Sequence, residues 1–297
     1  MKMPQKSCFV SIMGRPNVGK STLLNALLGE KVAIVSSKPQ TTRNRITGIL
    51  TEGERQYVFI DTPGLHKPRT LLGEYMMKAA SSAAGDTDVV LFVTECDRKL
   101  LDAERAMLES FAASGTHCIL IINKTDKISK AALAQYLSEL GDLSGLDSVV
   151  PVSALNKDGT DIIFRVLEPF MVESPHFFPD DMITDQPEKR IFAEIIREKM
   201  LRLLDEEIPH GTAVVIEEFR EKKGLLSVRA EIFCEKESHK RIIIGKNGAM
   251  LKKIGSYARE DAEKIFGVKV FLDLWVKVKE NWRDRPSLVA EFGYKDE

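Results

Sequence analysis

At 297 residues, with 43% hydrophobic and 29% charged residues, the chain is long enough for two domains of ordinary size, each with its own core. A formal net charge of −1 excludes a global pull toward nucleic acid or anionic membrane, although Lys236 to Arg285 holds 13 Lys/Arg against 7 Asp/Glu. No apolar run reaches the roughly 18 residues of a membrane span, "MKMPQKSCFVSIMG" lacks a signal-peptide pattern, and the four cysteines show neither CxxC nor zinc-like spacing. A cytosolic protein with small buried thiols is expected.

The first half alternates strand and helix. "CFVSIMG" reads as a buried strand, followed by a glycine loop and the helix "KSTLLNALLG". "QYVFIDTPG", "DVVLFVTE", "CILIINKTD" and "SVVPVSAL" repeat the form of an apolar strand ending in polar residues. Continuous apolar strands separated by helical stretches predict a mostly parallel sheet covered on both faces, with ligands at the strands' C-terminal ends.

"GRPNVGKS", Gly14 to Ser21, fits G-x-x-x-x-G-K-[ST] in full. Glycines let the backbone wrap an anion closely enough to aim N–H groups at it, with Lys20 reaching β- and γ-phosphates and Ser21 placed for Mg²⁺. "DTPG" puts Asp61 near that metal and Gly64 near a γ-phosphate. "NKTD" brings Asn123, Lys124 and Asp126, and a carboxylate at the base edge accepts from guanine N1–H and the 2-amino group, donors that adenine lacks. "SAL" sets Ser153, Ala154 and Leu155 against guanine O6. "PQTTR", Pro39 to Arg43, offers threonines as a further Mg²⁺ ligand.

In these motifs, over nearly all of residues 7 to 170, the sequence resembles the P-loop GTPases of the translation-factor-related class. The resemblance implies a nucleotide site of Gly14, Arg15, Pro16, Asn17, Val18, Gly19, Lys20, Ser21, Thr22, Asp61, Gly64, Asn123, Lys124, Asp126, Ser153, Ala154 and Leu155. It also implies Mg²⁺ held by Ser21, Thr42 and Asp61, with Thr42, the second of its pair, as the switch threonine. The departure is Leu65, where Ras-like enzymes carry a water-orienting Gln; an aliphatic group cannot hydrogen-bond water. Slow intrinsic hydrolysis is therefore expected, with the catalytic group elsewhere or from a partner, and His66 is read as a solvated neighbour rather than a base.

Near Glu173 the rhythm breaks. "ESPHFFPDDMITDQPE" holds three prolines and five acidic residues in sixteen and reads as a connection. The expected division is a first domain over 1–174, a linker over 175–187 and a second domain over 188–297. Beyond it, "EKRIFAEIIREKMLRLLDEEI" predicts an amphipathic helix with Ile191, Ile195, Leu201, Leu204 and Ile208 inward. "TAVVIEEFRE" and "LLSVRAEIFCE" predict strands. "RIIIGKNGAMLKKIG" predicts two helical pieces around Gly245-Lys246-Asn247-Gly248, the second burying Leu251, Ile254, Ala258, Ala262, Ile265 and Phe266. "VKVFLDLWVKVK" alternates strictly, as a strand with one buried face does. The order is α-β-β-α-α-β.

The second glycine loop is not a second phosphate loop of the first kind, since its glycines are three apart and no Lys-[Ser/Thr] follows. A G-x-x-G loop between helices is what KH domains use to clamp a nucleic-acid backbone. Ile243, Ile244, Gly245, Lys246, Asn247, Gly248, Lys252 and Lys253 are the candidate RNA contacts, and Trp275 and Trp282 are read as either base-stacking or packing residues. The whole is identified, by "PQTTR", "DTPG", "IIIGKNGA" and "LWVKVKENW", with a family of bacterial GTPases that carry a type II KH domain. That resemblance alone implies the 3′ end of small-subunit ribosomal RNA and the small subunit as partners, a role in subunit assembly, and a peripheral association with the inner membrane. A monomer is expected. Three other readings stay open: an RNA-binding module whose nucleotide domain turns over little, a GTPase whose KH-like half binds protein, and, against Asp126, an ATPase.

Overall fold

The structure, a computed structural model, describes residues 4–65, 68, 70–85, 87–140 and 145–294, with backbone only at 81, 83 and 84. The chain divides into two compact units, one of residues 1–35, 42–67 and 76–185, the other of 36–41, 68–75 and 186–297.

In the first unit, β1 (Lys6–Gly14) leads into α1 (Lys20–Leu28), then come β2 (Ile46–Glu52) and β3 (Arg55–Asp61). The helix α2 (Leu71–Gly85), which falls in this unit from Met76 onward, precedes β4 (Val89–Glu95), α3 (Asp102–Ser114), β5 (Cys118–Asn123), α4 (Lys130–Glu139), β6 (Ser148–Pro151), α5 (Thr160–Leu167) and the short β7 (Val172–Glu173). The sheet order is β2-β3-β1-β4-β5-β6, parallel except for β2 against β3, with β7 antiparallel to the start of β1. Every residue of β5, "CILIIN", is buried, as expected for a strand covered on both faces. One core packs Val10, Ile12, Leu91 and Ile121 under α1 and α5, and the other packs Met13, Phe92, Leu120 and Ile122 under α3. The chain leaves β1 toward β3 on one side and toward β4 on the other, so the crevice of this sheet opens at the C-terminal end of β1.

Residues 174–184 do not hang free of this unit. Gln56, fully buried in β3, accepts from the backbone N–H groups of Phe177 and Phe178 at 2.8 and 3.0 Å and donates to Phe178 O at 2.9 Å. Ile49 N donates to Ile183 O at 2.9 Å, and the Phe177 ring meets Phe9 edge-on at 4.9 Å.

The second unit runs α6 (Glu188–Leu203), β8 (Ala213–Lys222), β9 (Leu225–Cys234), α7 (Glu237–Ile244), α8 (Ala249–Phe266), β10 (Lys269–Val278) and a final α9 (Pro286–Glu291). This is the α-β-β-α-α-β order expected. Its sheet is β10-β9-β8, with β10 parallel to β9 and β8 antiparallel to it. Phe192, Ile196, Val228, Ile254 and Ala258 form the core between sheet and helices. The predicted first helix is shorter than the sequence suggests: α6 stops at Leu203, and Leu204 and Ile208 are buried from the turn that follows. Asp205, Glu206 and Glu207 would face the helix's negative end, and Glu206 turns left-handed at φ 55°. Segments 36–41 and 68–75 belong to this unit: Lys38 donates to Leu204 O, Arg197 donates to Thr41 O, and Leu71 N donates to Asp284 at 3.2 Å.

All four cysteines are buried and unpaired. Burial, reinforced by Asp88 and Asp147, pushes the Cys8 and Cys118 thiols up to about 12, and burial pushes Cys234 up to about 11. The unfolded chain releases these protons near the ordinary value of 9.0 while the folded one keeps them, so stability falls as pH rises from there toward 12. Each thiol contributes at most about 1.4 kcal/mol per pH unit. The urea midpoint of Cys118→Ala should therefore fall less steeply than that of the wild type between pH 9 and 11; parallel slopes would rule the thiol out.

Candidate functional site

Two glycines and one left-handed asparagine shape the loop after β1. Gly14 sits at φ 141°, and a Cβ there would lie 2.3 Å from Val93 O. Gly19, at φ 101°, would place a Cβ 2.3 Å from the Asn123 amide. Between them Asn17 adopts φ 67°. The loop ends on α1, whose cap, Gly19, supplies no side-chain bond and whose first turn carries no acid, so helix N–H donors remain for an anion. Val18 is buried and offers its backbone only, whereas Arg15, Pro16 and Thr22 are half-buried. The Lys20 ammonium is folded over the loop, donating at 3.0 Å to both Gly14 O and Arg15 O. Burial pushes its pKa down to about 8 against the pull of Asp61, and a phosphate beside it would push it back up.

Beside the lysine, the three expected metal ligands meet. Ser21 Oγ donates to Asp61 Oδ2 at 2.6 Å and lies 2.8 Å from Thr42 Oγ1, which itself reaches Asp61 Oδ2 at 3.3 Å. Asp61 is completely buried, its carboxyl raised above the usual range by desolvation although Lys20 opposes this, and its Oδ1 has no hydrogen-bond partner. A buried carboxylate oxygen without a donor, next to two hydroxyls, forms an all-oxygen set that fits Mg²⁺. Thr42→Ala should weaken a GTP analogue about tenfold and leave GDP within about twofold, read by fluorescent-nucleotide titration. An equal loss for both would deny Thr42 a triphosphate-specific role.

Gly64 packs so closely on Pro16 that a Cβ would lie 2.6 Å from its nitrogen, and Leu65 N donates to Gly14 O at 3.1 Å. The Leu65 side chain packs against the second core of the sheet. His66 lies outside the described residues.

The base loops close the same end of the sheet. Asn123, buried, donates to Val18 O at 2.9 Å and accepts from Lys124 N and Ala154 N at 2.8 and 3.0 Å. It thus ties the "NKTD", "SAL" and phosphate loops together. Lys124 Nζ donates to Asn17 O at 2.6 Å and pairs with Glu95. Asp126 is exposed at the rim, where Ser153 Oγ donates to its Oδ1. Leu155 is 74% exposed, its side chain open to solvent. Glu95 was not found from the sequence; its one signal is a carboxylate at the C-terminal end of an apolar strand.

In the second unit α7 hands over to α8 through Gly245 (φ 73°, ψ 175°), a single turn over Lys246–Gly248 with Asn247 at φ 53°, and Gly248 at φ 78°. A Cβ on Gly245 would meet Met250 N at 2.9 Å, while around Gly248 the space is open to 4 Å. Lys246, Asn247, Lys252 and Lys253 are exposed, with Lys253 Nζ lying 5.9 Å from the Tyr257 ring centroid. Alongside runs a groove of about 370 Å³ between α8 and β10, lined by Gly248, Leu251, Lys252, Gly255, Ser256, Arg259, Leu272 and Leu274. An aliphatic floor with a cationic rim is suited to unstacked bases and their phosphates.

Several sequence expectations are corrected here. Ile243 is fully buried in the core, so its side chain is not available to RNA; Ile244 is half-buried and Ile242 is the exposed member of the run. Ile265 is 38% exposed rather than inward. Trp282 is a packing residue, fully buried, donating to Gly211 O at 2.9 Å and stacked 5.9 Å from Tyr294, whereas Trp275 is 58% exposed. Gly255, Ser256, Arg259, Leu272 and Leu274 were missed as groove residues. Gly255 and Ser256, small residues side by side inside a helix, were the available signal.

The loop around Lys20, the hydroxyl–carboxylate set and a base loop built for guanine define a P-loop GTPase domain, and the second unit's order and loop define a KH domain. A family profile described as "50S ribosome-binding GTPase" matches residues 9–124, and one described as "KH domain" matches residues 207–283. GTPase Era of Ruminiclostridium cellulolyticum is 49% identical over 294 residues, covering 99% of both chains, and GTPase Era of Clostridioides difficile strain 630 is 49% identical over 294 residues, covering 98% and 99%. A single-residue variant of Aquifex aeolicus Era bound to GDP·AlF4⁻ superposes with a TM-score of 0.94 at 39% identity, over 98% of this chain and 100% of that one. The structure of Era in complex with MgGDPNP and nucleotides 1506–1542 of 16S ribosomal RNA gives the same figures of 0.94, 39%, 98% and 100%. The chain belongs to the Era GTPase family.

Proposed function

We propose that this GTPase binds single-stranded RNA at the 3′ end of the small-subunit ribosomal RNA through residues 188–297, and acts in the cytoplasm in small-subunit assembly. The observation that carries this reading is the Gly245–Gly248 loop opening onto an aliphatic groove rimmed by Lys252 and Arg259. The Era complex with a 16S ribosomal RNA fragment supports it. Residues 1–174 form the GTPase domain and 175–187 the connection.

In the nucleotide site, the helix N–H donors of α1 and Lys20 hold the phosphates, and Asp126 selects guanine. Mg²⁺ held by Ser21, Thr42 and Asp61 would supply charge neutralisation at the β- and γ-phosphates. Leu65 gives the attacking water no hydrogen bond, so intrinsic turnover is slow and the orienting group comes from elsewhere. Thr42, already beside Ser21 and Asp61, would be a ligand of that metal, and the carbonyl of its neighbour Thr41 accepts from the Arg197 guanidinium.

The test is the affinity of a single-stranded 3′-end small-subunit RNA for protein loaded with GDP or with a non-hydrolysable GTP analogue, at matched salt. Tighter binding in the triphosphate state is expected. Equal binding would mean that the two units are merely tethered.

A further inference from the structure

Lys124 is a non-glycine residue held left-handed at φ 67°, and the end of β4 grips it at two points. Glu95 pairs with its ammonium, while Cys96 Sγ donates to its carbonyl at 2.9 Å and Cys96 N donates to Asn123 O at 3.1 Å. The same ammonium donates to Asn17 O in the phosphate loop. Glu95 is itself oriented from behind: Arg98 Nε reaches its second oxygen at 3.4 Å, and the Arg98 fork donates to both oxygens of Glu104 at 2.9 Å. Glu104 is almost completely buried and also accepts from Leu101 N at 2.9 Å. Burial works to raise its carboxyl, yet Arg98, the Leu101 N–H and the charge of Arg15 together hold it below the usual range.

The result is a chain of alternating charge, Glu104–Arg98–Glu95–Lys124, anchored at a buried carboxylate and ending on the carbonyl of a phosphate-loop residue. An isolated surface pair of this kind contributes little. Here the fork geometry at Arg98 and the buried anchor remove the freedom that makes such pairs weak.

We propose that Glu95 is a positioning residue for nucleotide binding: oriented by Arg98 and Glu104, it holds Lys124 as the strut between base loop and phosphate loop and so lengthens nucleotide residence. The proposal rests on guanine nucleotide being the ligand of this site. Because the strut ties loops together without touching the γ-phosphate end, its loss acts on release of GDP and GTP alike.

The experiment is stopped-flow release of fluorescent GDP, with thermal melts alongside. Glu95→Ala should raise the dissociation rate about tenfold, and Glu95→Gln about threefold because an amide oxygen still accepts from the ammonium, with association within about twofold of wild type. Arg98→Met, which leaves Glu95 in place but unheld, should fall between wild type and Glu95→Ala. In a Lys124→Met background, adding Glu95→Ala should change release by less than about twofold, since the residue through which it acts is gone. Steady-state GTP hydrolysis should show a raised KM at unchanged kcat. An unchanged release rate in Glu95→Ala and Glu95→Gln, or effects that multiply fully with Lys124→Met, would overturn the proposal. A wild-type protein that failed to bind fluorescent GDP would instead overturn the reading of the site.

Discussion

Replacing Asp126 by Asn should lower GTP affinity at least about a hundredfold while raising affinity for XTP. Asp126 stands exposed just after β5, with Ser153 donating to one carboxylate oxygen. That bond fixes the plane of the carboxylate and leaves acceptor capacity facing the base. Guanine presents two donors to it, N1–H and the 2-amino group. An Asn amide in the same plane keeps one acceptor oxygen for one of those donors but sets its NH₂ against the other, which is left unpaired. Xanthine carries a carbonyl in place of the 2-amino group, so the same amide finds an acceptor. Because Asp126 is exposed, the substitution costs little stability, and the loss is read as recognition rather than unfolding. Competition of GTP, XTP and ATP against a fluorescent nucleotide decides it. Unchanged GTP affinity, or ATP binding as well as GTP, would remove Asp126 from base selection. Ser153→Ala, which frees the carboxylate to rotate, should show a smaller loss in the same direction.

Asp at both Gly245 and Gly248 should abolish RNA binding, by at least about a hundredfold at physiological salt, and leave nucleotide affinity unchanged. The two positions fail for different reasons. At Gly245 a side chain runs into Met250, so the turn itself must shift. At Gly248 the surroundings are open, and Asp meets only the left-handed backbone and whatever approaches from outside. Gly248→Asp alone therefore places a negative charge where a phosphate backbone is proposed to pass, with little else disturbed. It should account for most of the loss. Full RNA affinity in the single and double variants, with the fold intact by circular dichroism, would leave a protein partner as the better reading of this half. The salt dependence supplies a second readout: removing Lys252 and Lys253 should lower the slope of log affinity against log salt by about one per lysine that meets a phosphate.

The nucleotide site was legible because its chemistry dictates residue types at fixed spacing. Gly14, Gly19, Lys20, Ser21, Asp61 and Asn123 each face a constraint that few other residues meet, and the structure brings them together at one end of the sheet. The second loop was legible for the same reason, but its surroundings were not. In "IIIG" three isoleucines follow one another, and only the helix phase decides that Ile243 points inward and Ile242 outward. The groove is made by α8 together with β10, which lies parallel to β9, a pairing set by a crossover and not by local pattern. Leu272 and Leu274 follow the strict alternation of a buried face, yet they are only half-buried because that face extends past the helices into the groove. Gln56 shows the same limit from the other side. One polar residue inside an apolar strand carries no sequence signal, although it takes three backbone bonds from residues more than 120 positions away.

The burial of all four thiols has a practical consequence for spectroscopy. Their protons are held well past neutral pH, so a maleimide dye added at pH 7 finds no native thiolate within reach. A single cysteine introduced at the exposed Asn247 would thus be labelled alone, without first stripping the chain of its own sulfur. The protein comes ready for fluorescence and spin-label work at its most informative turn.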